Sequence, residues 1–162
     1  MSQLSFHCGA ALTRFTSVVV LGLSLALEAA AASPPLPEIQ SLPQELHAAA
    51  AIRQPLVVMV SLPNCPSCVI VRKHHMLPLL AQGVPVRQIS MKDGSPMRAL
   101  DGSQVTQDEQ SRRWKVKVAP TVLFLGPDGR ELAERLEGAL LADFYAAYLE
   151  DRLQRARQVM GR

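Results

Sequence analysis

Asn64-Cys65-Pro66-Ser67-Cys68 holds two of the three cysteines in the chain, and the third, Cys8, lies in an N-terminal segment with a different character. A Cys-x-x-Cys pair can close a small disulfide across one helical turn and open it again. If Cys65 begins a helix, its sulfur faces the positive end of the helix dipole and unpaired backbone N–H groups. Both favour a thiolate that can attack near neutral pH. An apolar run precedes the pair and a helical pattern follows it, which points to redox chemistry more than to a structural staple.

Zinc or copper is the competing chemistry. Four-coordinate zinc needs ligands beyond Cys65 and Cys68, and the nearby candidates are His74 and His75. Both lie more than one turn beyond Cys68 on the same predicted helix, a poor position for joint ligation with Cys65. Copper held by the two cysteines and one histidine is a weaker variant of that reading. The bland reading of His74, His75 and His47 is as exposed helix residues. That of Trp114 is as a packing residue at a helix end. Arg72-Lys73, Arg112-Arg113, Lys115 and Lys117 read as solvated surface, although the last four precede Ala119-Pro120 and suit an acidic partner. No metal and no cofactor is expected.

The ends of the chain set the compartment. Arg14 is the only charge before an apolar run from Phe15 to Leu27, and Ala29-Ala30-Ala31-Ala32-Ser33 follows. A basic start, a short apolar core and an A-x-A site read as a signal peptide over residues 1–32, cleaved near Ala32. The rival is an uncleaved anchor in the inner membrane, but the apolar core falls short of the roughly 20 residues a spanning helix needs. On either reading the rest of the chain is periplasmic or otherwise exported, where disulfides persist. It is long enough for one core and too short for two domains. The net charge is +3; Arg14 and Glu28 cancel, so the exported part keeps it. The charges alternate instead of forming a block, and no nucleic-acid partner is expected.

The elements around the cysteines follow from pattern. Residues 33–40 read as an extended, proline-stiffened linker. A helix is predicted over 43–52, with Ser41 as N-cap and Gln44 placed for a capping box. Leu56-Val57-Val58-Met59-Val60 has the length and β-branching of a strand buried on both faces. A helix follows the cysteines until Pro78 kinks or ends it, and a second strand covers 84–91. Residues 92–104 read as a loop. Thr106-Gln107-Asp108-Glu109 is a capping box that opens a helix to about Trp114. Thr121–Leu125 is a third strand, Gly126-Pro127-Asp128-Gly129 a tight turn, and 130–136 a fourth strand closing an antiparallel hairpin. The last helix spans about 142–158, with Phe144, Tyr148 and Leu149 on its apolar face. This order predicts an α/β domain over 41–162, with a mixed four-stranded sheet and helices on both faces.

Taken together, strand, Cys65-Pro66-Ser67-Cys68, helix, strand, then Val118-Ala119-Pro120-Thr121 opening a hairpin, resembles the thioredoxin superfamily from Leu56 to about Leu149. Gly138 matches the glycine that follows that family's last strand. The longer loop and the helix near Thr106–Trp114 look most like exported bacterial thioredoxin-like proteins, including those associated with sulfur oxidation. The resemblance implies a thioredoxin-like fold and thiol–disulfide exchange. Cys65 would be the nucleophile, Cys68 the resolving thiol, Pro120 a cis residue facing them, and Ala119 the backbone that meets a substrate strand. Implied partners are exported proteins with disulfides or thiols, and a membrane thiol reductase or oxidase that resets the pair. A binding protein of the same fold, redox-inactive or metal-carrying, is the alternative. Two positions depart from the family. Asn64 stands where thioredoxins carry tryptophan. Met59 stands where they bury an acid that helps the resolving thiol lose its proton.

Overall fold

Leu56–Ser61 form a strand whose residues are all buried, and the rest of the domain is layered on it. The structure, a computed structural model, describes residues 35–139 and 144–161. In order the elements are α1 (Leu42–Ala51), β1 (Leu56–Ser61), α2 (Pro66–Val71), a π-helical turn (Arg72–Met76) and α3 (Leu77–Ala81). They continue as β2 (Val86–Ser90), β3 (Pro96–Arg98), β4 (Gln104–Thr106), α4 (Gln107–Arg113), β5 (Thr121–Leu125), β6 (Leu136–Glu137) and α5 (Tyr145–Met160). The main sheet has the order β2-β1-β5-β6. β1 runs parallel to β2 and antiparallel to β5, in register Val57↔Val86 and Met59↔Val122, and β6 closes antiparallel to β5. Only a crossover can join parallel neighbours, and α2, the π turn and α3 supply it.

Strand alternation splits the core into two layers. Val57 and Met59, with Val122 and Phe124, pack against Cys68, Val71 and Met76 of the crossover and Tyr145, Leu149 and Leu153 of α5. Leu56, Val58 and Val60, with Leu123 and Leu125, pack against Leu42, Leu46 and Ala49 of α1 and against Met97 and Val105. Helices therefore cover both faces of a mixed four-stranded sheet.

Several local readings need correcting. Residues 92–104 are more than a loop. Pro96–Arg98 and Gln104–Thr106 pair as a small antiparallel ladder in which Met97 faces Val105, and both side chains are buried. Ser41 precedes α1 but its side chain makes no cap bond; it is buried, and its backbone bridges Arg98. The fourth strand is shorter than 130–136. Glu131 bridges Leu125, pairing then lapses and resumes at Leu136↔Val122. The returning chain thus carries two more residues than β5 over this stretch, a bulge pinned where Arg135 donates to the Trp114 carbonyl at 3.0 Å and pairs with Glu131.

Pro78 neither ends nor simply kinks its helix. The preceding turn widens, with the Leu77 N–H bonded to the Arg72 carbonyl, so the helix continues past a residue that has no N–H to donate. The start of the last helix near Ala142 lies outside the described residues, as does the segment 1–32. The buried face of α5 is Tyr145, Leu149, Leu153 and Ala156, whereas Phe144 and Tyr148 are exposed. The stretch read as a linker is extended and also edges the sheet: Gln88 N–H donates to the Pro37 carbonyl, Ile39 N–H to the Gln88 carbonyl, and Leu36 and Ile39 are buried.

Gln107 ties that edge to the site side of the sheet. Fully buried, it accepts from Ser90 N–H at 2.7 Å and donates to Glu38 at 3.0 Å. Gln107→Ala strands the Ser90 N–H and should cost about 1–3 kcal/mol in urea unfolding. A midpoint equal to wild type would show that the bond is dispensable.

Candidate redox site

The site begins where β1 ends. Asn64 has a φ of 56°, a left-handed conformation that asparagine accepts better than most residues. That turn delivers Cys65 to the N-cap of α2 in extended geometry. Pro66 takes the first helical position, where a missing N–H costs nothing. Cys68 N–H, one of the unpaired donors of the helix start, points at Cys65 Sγ at 3.1 Å. The two cysteines form a disulfide, with Cα atoms 5.2 Å apart. The sulfurs are not equivalent: Cys65 is half-buried, whereas Cys68 is 1% exposed and belongs to the layer that holds Met59.

The opposite wall is the loop into β5. The Ala119–Pro120 bond is cis, and the Ala119 carbonyl oxygen lies 4.0 Å from Cys65 Sγ. Thr121 Oγ donates to the Val118 carbonyl at 2.8 Å, and Gly138 N–H to the Pro120 carbonyl at 2.8 Å. Cys65, Cys68, Ala119 and Pro120 are thus brought together from α2 and the start of β5. Val69 and Ile70 of α2, and Val118 next to Ala119, expose apolar surface.

The other candidates are placed differently. His47 and His74 are exposed. His75 is half-buried with its ring centroid 4.7 Å from that of Tyr145. Burial, then the neighbouring His74, lowers the His75 pKa below its usual value. A histidine held neutral in this way stabilises the fold above about pH 6.5 and loses that contribution as pH falls through its lowered pKa. Burial raises the Tyr145 phenol, whose oxygen has no partner. Among the described residues no three His, Cys, Asp or Glu side chains gather into a metal-binding group.

Trp114 is half-buried against the α1 side of the core. Arg112 and Arg113 pair with Asp108 and Asp101, so two of the four cations ahead of Ala119 are already partnered. Arg72 is not simple surface. It is half-buried, donates to Gln88 and Ser61, and lines a groove of about 480 Å³ beside Cys65. A sequence signal existed, since Cys65, Val69 and Arg72 fall at i, i+4 and i+7 on one helix face.

The thioredoxin-like domain family model matches residues 42–153, and the chain belongs to that family. Its fold is shared with solved structures of low sequence identity. A thioredoxin-fold protein from Helicobacter pylori is 13% identical with a TM-score of 0.51, over 66% of this chain and 73% of that one. DsbH oxidoreductase is 16% identical with a TM-score of 0.50, over 76% of this chain and 88% of its own. No curated protein matches the chain in sequence.

Met59 is fully buried in the layer that holds Cys68. Met59→Asp should speed closure of the Cys65–Cys68 disulfide by giving the buried thiol a proton acceptor. It should also cost about 3 kcal/mol at neutral pH. Burial would raise the pKa of the new carboxyl in the folded protein. The variant should therefore be least impaired below pH 4 and lose stability as pH rises through the raised pKa. An unchanged closure rate would mean that another group already takes the proton.

Proposed function

We propose that this protein is an exported thiol–disulfide oxidoreductase that exchanges disulfides with partner proteins. The observation that carries the reading is the inequality of the two sulfurs. Cys65 is reachable and receives the Cys68 N–H, while Cys68 sits beneath it in the core. In the reduced protein that N–H would favour a thiolate at Cys65 over one at Cys68.

The thiolate of Cys65 attacks one sulfur of a partner disulfide. A Cys65–partner disulfide forms, the partner's S–S bond breaks, and its other sulfur leaves as a thiolate. Cys68 then gives up its proton and attacks Cys65 Sγ. This forms the Cys65–Cys68 bond and releases the second partner sulfur as a thiolate. Two electrons pass from the dithiol to the partner, and the reverse sequence oxidises a partner dithiol. The exposed Val69, Ile70 and Val118 give an apolar rim on which a protein can seat, and the Ala119 backbone offers an edge to an extended strand. A membrane thiol reductase or oxidase resets the pair. The signal-peptide pattern over 1–32 supports action in the periplasm or another exported compartment, whether the segment is cleaved or kept as an anchor.

In cells, Cys68→Ser should accumulate covalent Cys65–partner species that run as higher bands on non-reducing gels and collapse with reductant. Cys65→Ser should trap few or none. Equal trapping by both variants would overturn the assignment of the nucleophile.

A further inference from the structure

We infer that Arg72 forms a carboxylate-binding subsite beside Cys65, so that the favoured partner strand carries Asp or Glu within three residues of the cysteine under attack. This rests on the exchange reading above and adds a specificity to it.

The guanidinium is held, yet its charge is unspent. Arg72 Nε donates to Gln88 Oε1 at 2.9 Å and Nη2 to Ser61 Oγ at 3.1 Å. Gln88, in the middle of β2, and Ser61, at the end of β1, are themselves buried. Two of the five N–H groups are thereby used, along one edge of the fork. The other edge, Nη1 with the second hydrogen of Nη2, is the shape that takes a carboxylate with two parallel bonds. Arg87, Arg112, Arg113, Arg130, Arg135, Arg152 and Arg155 each hold a carboxylate, whereas Arg72, like Arg53, Arg98 and Arg157, holds none among the described residues.

Placement puts Arg72 within reach of a substrate at Cys65. Arg72 and Cys65 line the same groove, together with Val69, Asn64 and Ser90. Seven residues of helix separate the two along its axis by about 10 Å, and helical side chains lean back toward the N-terminus, here toward Cys65. An extended strand advances about 3.3 Å per residue. A carboxylate one to three residues from the bonded cysteine therefore spans the gap. A purely structural arginine would leave substrate choice untouched.

The test uses the reduced protein and pairs of short peptide disulfides that differ only in Glu against Gln. The varied residue is placed one, two or three positions to either side of the cysteine, and exchange rates are read by quenched mass spectrometry. Wild type should favour the best-placed Glu peptide over its Gln twin by about tenfold at low salt, and less at high salt. In Arg72→Gln the ratio should fall to about one, with Arg72→Lys between. The ratio is internal to each variant, so a general loss of rate or stability cancels. A wild-type ratio near one at every position, or a preference that survives in Arg72→Gln, overturns the subsite. 2-Hydroxyethyl disulfide, which has no charge, separates the two claims: failure to react even with it would overturn the exchange reading and the subsite with it.

Discussion

The single bond from Cys68 N–H to Cys65 Sγ depends on how β1 ends, and the rest of the site depends on that bond. β1 is buried on both faces between a parallel and an antiparallel neighbour, so its direction and end point are fixed by the whole core. The chain leaves its carboxyl end through one left-handed residue, Asn64, and enters a helix at once. Had the strand run on through residues 62–64, Cys65 would continue the sheet instead of starting a helix. Had the helix begun later, Cys65 would hang in a loop with no amide aimed at it. The helix start supplies donors that need an acceptor, and the sulfur is that acceptor.

From this follows the difference between the two thiols. One turn on, Cys68 faces inward, onto the layer with Met59 and Tyr145, and its backbone serves Cys65 while its side chain is shut away. The carboxyl ends of β1 and β2 also gather the groove: Ser61 and Ser90 finish those strands, and Gln88 and Ser61 seat Arg72. The site thus has three walls of different chemistry. One is apolar, at Val69. One is backbone, at Ala119. One is cationic, at Arg72. Crevices outside the carboxyl ends of parallel strands are where α/β folds place ligands.

Much of this was legible in the sequence because it is local. β1 and β5 announce themselves as short β-branched runs, the helix at Gln107 by its capping box, which forms in full, and the cysteine pair by its spacing. What was not legible depends on partners distant in the chain. Ser41 looks like a helix cap, but it stands in a bridge to the small ladder, where Arg98 N–H donates to the Gln40 carbonyl. Met97 stands between Pro96 and Arg98, and Val105 between Gln104 and Thr106, in segments of three, too short for alternation to show. The break in pairing after Glu131 rests on Arg135 reaching Trp114, and the apolar face of α5 is displaced by a residue from the one drawn on Phe144. Arg72 followed by Lys73 reads as surface charge, and only Gln88 and Ser61, both on strands, reveal that it is fixed in place.

The central claim is that Cys65 and Cys68 form a reversible couple and not a permanent brace. Its most direct measurement is equilibration of the folded protein with graded dithiothreitol and glutathione buffers, counting the two thiols by alkylation and mass. The account predicts one two-electron transition within the span known for this fold, about −270 to −120 mV, with the protein folded at both ends. A disulfide that resists reduction until below about −300 mV, as structural disulfides do, or that unfolds the domain when it opens, would contradict it.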